Sequence, residues 1–214
     1  METQQRRILV NKFDKQQIAD LPRAVFEGRI VVVDSEREAQ RAVDFLLRQP
    51  LLGFDTETRP TFRPGPMHPV ALLQVASRDI CFLFRLCRIG LPDCLVSLLS
   101  SQKVKKVALS WSDDTGQLMR MREFKMGSFI ELQTYVRDFG IEDMGLQKLY
   151  ANVFAQKISK SQQLTNWEQD VLTEAQKRYA ATDAWACVRL YEELEQLKQN
   201  GNWELKNNDE PISK

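Results

Sequence analysis

Short runs of β-branched and apolar residues alternate with helix start signals along most of the chain, and this alternation constrains the fold more than any other feature. Periodicity and composition predict strands at residues 29–34, 51–57, 70–76, 80–84, 104–109 and 129–132. Only three residues separate residue 76 from residue 80, which predicts a hairpin and therefore an antiparallel pair. We expect an α/β fold in which a mixed β-sheet is flanked by helices.

Helix start signals and apolar spacing predict the helices between these strands. Ser35 begins a capping box with Glu38, and Thr173 begins a second one with Gln176. Ser112 is expected to cap a helix in the middle of the chain. The predicted helices cover residues 35–47, 92–100, 112–122, 133–138, 146–154 and 173–197. We therefore expect an N-terminal extension over residues 1–28, a main domain over 29–199 and a flexible tail over 200–214.

The overall composition excludes several classes of protein. The chain has 214 residues, and 30 basic against 29 acidic residues leave a formal charge of +1, which excludes a uniformly basic nucleic-acid protein and an acidic disordered chain. No apolar run is long enough to span a bilayer, and the N-terminus lacks the apolar segment of a secretory signal. The four cysteines have no CxxC spacing, which predicts reduced core thiols. We expect a cytoplasmic protein without a membrane partner.

Two carboxylates, Asp55 and Glu57, stand two residues apart in a predicted strand. Residues at this spacing share a face, with α-carbons roughly 7 Å apart, and the nearby Gly53 leaves room for a close approach. A divalent cation would relieve their repulsion, and oxygen ligands suit Mg²⁺ or Mn²⁺. The alternative is a strand that ends at Asp55 and leaves both groups in a solvated turn.

A third carboxylate lies on the apolar stripe of the last predicted helix. Asp183 is in register with Cys187, Leu190, Leu194 and Leu197. An unpaired carboxylate there would cost several kcal/mol, which indicates a partner. Tyr179 lies one turn earlier on the same face, so simple hydrogen-bonded packing of the two side chains is the alternative to a functional site.

Asp113 and Asp114 fall in the first turn of a predicted helix, where acidic residues complement the helix dipole and mean little alone. In order along the chain, however, the blocks resemble the DEDD 3′-5′ exonucleases of the tyrosine subclass, a family that includes ribonuclease D and the Werner syndrome protein exonuclease domain. The blocks are GFDTE at 53–57, VALLQVAS at 70–77, KVALSWSDDTGQLMR at 106–120 and NWEQDVLTEAQKRYAATDA at 166–184. The resemblance covers roughly residues 29–197 and implies a ribonuclease-H-like fold.

The resemblance also implies a role for each acidic residue. Asp55, Glu57 and Asp183 would hold the more tightly bound of two divalent cations, Mg²⁺ or Mn²⁺, and Asp55 would bridge to the second. Asp114, four residues before Leu118, matches the second-motif aspartate better than Asp113 and would act on the second ion through water. Tyr179 matches the tyrosine that orients or deprotonates the attacking water. The sequence departs from the family at 58–60, where Thr-Arg-Pro replaces a bulky residue.

The implied activity is metal-dependent 3′-5′ hydrolysis of DNA or RNA that releases nucleoside 5′-monophosphates. The alternative is a non-catalytic nucleic-acid-binding module on the same fold. Residues 58–78 and 144–167 contain no acidic residue, so we expect them to contact a single-stranded or 3′-ended nucleic acid. The candidate substrate-binding residues are Arg63, Lys157, Lys160 and Trp167, the last as a platform for base stacking.

Overall fold

A six-stranded mixed sheet forms the centre of the computed structural model, which describes residues 6–62 and 68–207. The strands are β1 (Arg7–Val10), β2 (Arg29–Val33), β3 (Leu51–Thr58), β4 (Val70–Ala76), β5 (Ile80–Phe84), β6 (Lys105–Ala108), β7 (Ile130–Glu131) and β8 (Trp203–Lys206). The order in the large sheet is β2-β5-β4-β3-β6-β7. Strand β4 is antiparallel to both of its neighbours, β3 and β5. The pairs β2–β5, β3–β6 and β6–β7 are parallel. The predicted hairpin and the mixed sheet are confirmed.

Helices cover both faces of this sheet. They are α1 (Glu36–Leu46), α2 (Leu86–Ile89), α3 (Asp93–Ser100), α4 (Trp111–Met121), α5 (Leu132–Tyr135), α6 (Leu146–Phe154) and α7 (Glu174–Asn200), with 3-10 turns at Lys15–Asp20 and Val136–Phe139. Leu52 and Phe54 of β3 share a core with α1, α3 and α4, whereas Leu51 packs in the core that α6 and α7 form. Alternate residues of β3 therefore face opposite layers. Among the described residues, no helix has the length and apolar character needed to cross a bilayer.

Helix α7 begins as the sequence predicts. The Thr173 side chain accepts a hydrogen bond from the Gln176 amide, and the Gln176 side chain accepts one from the Thr173 amide at 3.0 Å. This reciprocal pair satisfies two of the amides that the first turn leaves unpaired. The helix ends at Gly201, whose φ of 63° lies in the left-handed region that glycine adopts without strain.

The predicted start of α4 at Ser112 is wrong. The helix begins at Trp111, and Ser110 precedes it with a φ of 59° and no side-chain cap. Its first amides are instead satisfied by Glu131 of β7, whose carboxylate oxygens accept from the amides of Ser110 and Trp111 at 2.9 and 2.7 Å. The Glu131 carboxylate, twenty residues away, thus caps the helix in place of the predicted local serine, and its charge complements the helix dipole.

The two ends of the described chain pair with each other. Strands β1 and β8 form a two-stranded parallel sheet, in which Leu9 of β1 is buried. The Val10 amide and carbonyl each hydrogen-bond to the Asn152 side chain of α6. This differs from the flexible tail expected from residue 200, because α7 brings Trp203–Lys206 beside the extension and β1 supplies an edge for pairing. Residues 208–214 lie outside the described part of the chain.

The cysteines largely match the expectation of reduced core thiols. All four are free; Cys81, Cys94 and Cys187 are buried, but Cys87 is exposed. Burial raises the pKa of the Cys81 and Cys187 thiols well above the ordinary value.

Candidate active site

Strand β3 and helix α7 contact each other through a glycine. A Cβ atom on Gly53 would lie 2.0 Å from the Ala184 carbonyl oxygen and 2.8 Å from a methyl carbon of Val188. The space that glycine leaves is thus occupied by α7 itself. This backbone approach brings the β3 face with Asp55 and Glu57 against the turn of α7 with Asp183.

The three carboxylates form one cluster. One oxygen from each of Asp55, Glu57 and Asp183 lies within 4.8 Å of the other two. Asp183 and Glu57 are buried, with exposed fractions of 7% and 8%. One oxygen of Asp183, Oδ1, has no hydrogen-bond partner among the described residues. The alternative of two carboxylates in a solvated turn is wrong, because β3 continues to Thr58 and α7 covers this face.

Burial and mutual repulsion dominate the electrostatics of this cluster. Burial, followed by the charges of Asp55, Asp183 and Asp114, raises the pKa of Glu57 to about 10. Burial raises the pKa of Asp183 to about 7, against the opposing effects of a hydrogen bond with Tyr179 and the charge of Lys160. The pKa of Asp55 is raised well above its ordinary value, first by burial and then by Asp183 and Asp114. Without a cation, these carboxylates cannot all be ionised at low cost.

Asp114 and Asp113 have different surroundings. The Asp114 carboxylate is half-buried and accepts a hydrogen bond of 2.6 Å from the Thr56 hydroxyl, which lies between Asp55 and Glu57 in sequence. Burial raises the pKa of Asp114 to about 6, although the Thr56 hydrogen bond opposes the shift. Asp113 is exposed. The structure thus brings Asp114, rather than Asp113, next to the carboxylate cluster.

Tyr179 borders the cluster on α7. Its hydroxyl is hydrogen-bonded to Asp183, and burial, followed by the charges of Asp183 and Glu57, raises its pKa. The Trp167 ring lies 6.0 Å from the Tyr179 ring, centroid to centroid. Trp167 is 0% exposed, so the prediction that it stacks on a base is wrong. Its large apolar ring supports Tyr179 from inside the core instead.

A cleft of about 290 Å³ opens over the carboxylates, which we call the carboxylate cleft. Its lining includes Asp55, Glu57, Tyr179, Asp183, Gly145, Gln147, Ser159 and Lys160. Lys160, a substrate-binding candidate from the sequence, therefore lies in the wall of the carboxylate cleft. Lys157 does not line the cleft: its ammonium group donates to the Ala19 carbonyl, and its backbone forms a bridge with Arg23 of the extension. Arg63 lies outside the described residues.

The acid-free segment over residues 58–78 meets acidic residues from elsewhere in the fold. Arg59 and His68 both lie 3.1 Å from the Glu168 carboxylate, and Arg78 pairs with Glu192 of α7 at 2.8 Å. The basic side chains described in this segment are therefore largely neutralised. The expectation that it forms a basic surface for phosphates is not supported by these three residues.

Sequence reasoning missed two residues that shape the site. Thr56 holds Asp114, and its alternation with Asp55 and Glu57 along β3 could have placed its hydroxyl on the α4 side. Glu131 holds the start of α4, which carries Asp114. No local pattern marks Glu131, since it acts on amides about twenty residues away.

The donor set fits divalent metal ions. Asp55, Glu57, Asp183 and Asp114 offer only carboxylate oxygens, the ligands that Mg²⁺ and Mn²⁺ prefer. The unpaired buried Oδ1 of Asp183 and the raised pKa values of Glu57 and Asp183 identify a cluster with too little positive charge nearby, even with Lys160 in the cleft. Cations bound to these oxygens would supply it.

A family model described as 3′-5′ exonuclease matches residues 30–198. The bifunctional 3′-5′ exonuclease/ATP-dependent helicase WRN of Mus musculus is 33% identical over 153 residues, which is 69% of this chain and 11% of that protein. Ribonuclease D of Haemophilus influenzae is 34% identical over 112 residues, or 51% of this chain and 28% of that protein. The chain thus spans under a third of the length of these relatives.

Solved structures confirm the fold. The EXO domain of Aedes aegypti Nibbler superimposes with a TM-score of 0.73 at 24% identity, covering 83% of this chain and 92% of that one. Ribonuclease D of Escherichia coli gives 0.68 at 20% identity, over 80% and 46% of the two chains. These similarities confirm the predicted ribonuclease-H-like fold, and the family model confirms the resemblance seen in the sequence. The chain belongs to the 3′-5′ exonuclease family.

Proposed function

We propose that this protein is a metal-dependent 3′-5′ exonuclease that hydrolyses the terminal phosphodiester bond of DNA or RNA and releases nucleoside 5′-monophosphates. One observation carries the proposal: three buried or half-buried carboxylates meet within 4.8 Å at the base of an open cleft. Without a bound cation, such a cluster destabilises the folded protein, because the carboxylates repel one another and lose hydration. Its presence therefore indicates a functional site.

In this proposal, Asp55, Glu57 and Asp183 would hold one Mg²⁺ or Mn²⁺ ion, and Asp114 would act on a second ion through water. A pair of such ions supplies an activated water and charge neutralisation at the leaving 3′ oxygen. The protein's part is to keep the oxygen ligands in place. Packing of Gly53 against α7 holds Asp55 near Asp183, and the Thr56 hydroxyl holds Asp114.

Two further side chains of the carboxylate cleft act on the substrate and the water. The Tyr179 hydroxyl, anchored by Asp183 and supported by the buried Trp167 ring, orients the attacking water, because its raised pKa keeps it protonated. The Lys160 ammonium group, close enough to influence the pKa of Asp183, binds the scissile phosphate or its neighbour.

A nucleic acid is the substrate that suits this cleft, and a relative supports this choice. A solved structure of Trypanosoma brucei RNase D in complex with RNA U12 is similar to this chain, with a TM-score of 0.69. A single strand with a free 3′ end fits an open cleft, because its terminal nucleotide can enter without unpairing. Discrimination between DNA and RNA would depend on contacts to the 2′-hydroxyl.

The experiment is digestion of a 5′-labelled oligonucleotide with Mg²⁺ or Mn²⁺, with and without chelator. We expect a ladder of shortened products that the chelator abolishes. Asp183→Ala should abolish the ladder, whereas Asp113→Ala, an exposed neighbour of the site, serves as the matched control and should retain it. A mobility shift without degradation would instead identify the non-catalytic binding module.

Matched DNA and RNA oligonucleotides of one sequence identify the substrate, and a circular substrate distinguishes an exonuclease from an endonuclease on the same fold. A 3′-5′ exonuclease leaves the circle intact and releases nucleoside 5′-monophosphates from the linear strand. Cleavage of the circle would contradict the proposal, because a circle has no 3′ end.

A further inference from the structure

A second cavity, which we call the lysine pocket, adjoins the carboxylate cleft. It has a volume of about 210 Å³ and is lined by Lys15, Gly145, Gln147, Lys148 and Lys160. Three of these residues, Gly145, Gln147 and Lys160, also line the carboxylate cleft. The two cavities therefore share a wall, and Lys160 stands between them.

The lining of the lysine pocket carries positive charge. Lys15 and Lys160 are exposed, and among the described residues neither side chain has an ion pair or a hydrogen bond. Lys148 donates to Asp143 at 2.9 Å, so its charge is partly neutralised. No carboxylate lines the pocket. Lysine side chains that line a cavity and are only partly neutralised attract anions such as phosphate.

The position of Lys15 is set by firm contacts between the extension and the main domain. The Phe13 amide donates to Asp143 at 2.6 Å, and the Glu142 amide donates to the Asn11 carbonyl at 2.8 Å. The Asp14 side chain then caps the 3-10 turn that Lys15 begins. Asp143 thus joins the extension to Lys148, which places lysines from both segments around one cavity.

Lys15 lies outside the part of the chain that matches the exonuclease family, residues 30–198. Its contribution to the pocket therefore belongs to the extension of this chain. The buried Leu9 and the paired strands β1 and β8 show that this extension is packed as part of the molecule.

We propose that Lys15, with Lys160 and Lys148, binds a backbone phosphate on the 5′ side of the scissile bond. This inference rests on the proposed exonuclease function. When the 3′-terminal nucleotide occupies the carboxylate cleft, the strand has no phosphate beyond its 3′-hydroxyl. Every additional phosphate lies on the 5′ side, and the lysine pocket is a basic cavity that directly adjoins the cleft. The extension thereby lengthens the site that holds the substrate.

The test compares Lys15→Ala on two substrates. A dinucleotide contains only the scissile phosphate, whereas a 12-nucleotide strand also offers phosphates on the 5′ side. We expect the KM for the longer strand to rise roughly threefold to tenfold with kcat unchanged, as for loss of one charged hydrogen bond near the surface. The kinetics on the dinucleotide should be unchanged, and Lys15→Arg should restore the KM on the longer strand.

Lys103→Ala is the matched control, because this exposed lysine precedes β6 at the end of the strand opposite the cleft. It removes the same charge and should leave both substrates unaffected. An equal KM effect of Lys15→Ala on both substrates, no effect on either, or an effect no larger than that of Lys103→Ala would overturn the inference.

Binding provides a readout that does not depend on hydrolysis. Fluorescence anisotropy of the labelled 12-nucleotide strand in chelator should show weaker binding by Lys15→Ala. The slope of log K against log salt should be less steep by about 0.7, the value for one phosphate contact to a single strand. An unchanged slope contradicts the lysine pocket alone, whereas absence of hydrolysis by the unmodified protein contradicts the proposed function.

Discussion

At the scale of single residues, Asp183 is a buried carboxylate whose position in the site lowers the stability of the folded protein. It lies on the apolar stripe of α7, where Leu190, Leu194 and Leu197 are buried as the spacing predicts. Its Oδ1 atom has no partner among the described residues, although buried polar atoms normally have one. A charge on Asp183 therefore destabilises the metal-free folded state.

This cost predicts a pH-dependent effect of Asp183→Asn on the metal-free protein. The pKa of Asp183 is about 7 in the folded state, against an ordinary value of 3.8. Between these values the folded state binds more protons than the unfolded state, so its free energy of unfolding falls as pH rises. The variant loses this penalty. We expect it to be more stable than the unmodified protein at pH 8, on the order of 2 kcal/mol, with a smaller difference at pH 4.5.

Urea unfolding in chelator between pH 4.5 and 8 measures this difference. The control is Asp113→Asn, which removes an exposed carboxylate and should change stability little at any pH. A stability difference for Asp183→Asn that does not grow with pH would contradict the prediction.

Single residues also show which inferences the sequence supports. The two-residue spacing of Asp55 and Glu57 was enough to put them on one face, because strand geometry is local. The burial of Trp167 and the hydrogen bond of Lys157 to Ala19 could not be predicted in this way. Both depend on which distant segment covers the side chain.

At the scale of elements, the contact between β3 and α7 assembles the carboxylate cluster. The strand and the helix approach so closely that there is no space for a side chain at position 53, which is glycine. Helix α4 is oriented separately, through Glu131 of β7 and the Thr56–Asp114 hydrogen bond. Three elements therefore converge on the site, and each is held by a different contact.

The close approach predicts that Gly53→Ala damages both stability and activity. The added Cβ would meet the Ala184 carbonyl at 2.0 Å, so strand and helix must separate. Overpacking of this kind costs about 1–3 kcal/mol or more. The separation also moves Asp183 away from Asp55. We expect a lower midpoint in urea unfolding and a loss of exonuclease activity that saturating Mn²⁺ does not restore.

Gly116→Ala in α4 is the matched control, since its Cβ would come no closer than 3.8 Å to the Arg120 side chain. Alanine is a better helix former than glycine, so this variant should be as stable as the unmodified protein or more stable by about 0.5–1 kcal/mol. Equal stability of Gly53→Ala and the unmodified protein would show that the contact is not essential.

At the scale of the whole molecule, the ends of the described chain join the main domain. Leu9 is buried in the same core as α6 and α7, and β1 pairs with β8 beyond the end of α7. The extension also supplies Lys15 to the lysine pocket. We therefore propose that the extension folds together with the main domain.

This proposal predicts that Leu9→Ala lowers the stability of the entire molecule. Removing this fully buried side chain should cost about 2–5 kcal/mol, and unfolding should remain a single transition. The control is Ile8→Ala on the same strand, whose side chain is 48% exposed and should contribute much less. Circular dichroism and tryptophan fluorescence in urea would measure both variants. A separate early transition of the extension would contradict the proposal.

The net charge of +1 does not describe how charge is distributed over the folded surface. Acid-free stretches of sequence predicted basic surfaces, yet Arg59 and His68 meet Glu168, and Arg78 meets Glu192. Two lysines of the lysine pocket, Lys148 and Lys160, come from the acid-free segment 144–167, and the third, Lys15, comes from the distant extension. Charge along the chain therefore reports charge across the surface only in part, because folding brings distant acidic and basic residues beside each segment.

The sequence by itself determined the features that depend on local geometry. Strand and helix periods, capping boxes and the two-residue spacing of Asp55 and Glu57 follow from backbone geometry, and extended motif blocks identify the family. The motif blocks also favoured Asp114 over Asp113, and the hydrogen bond from Thr56 supports that choice. Only the tertiary structure decided which basic residues stay unpaired and what covers Trp167. These outcomes depend on contacts between segments separated by tens of residues, for which local sequence carries no signal.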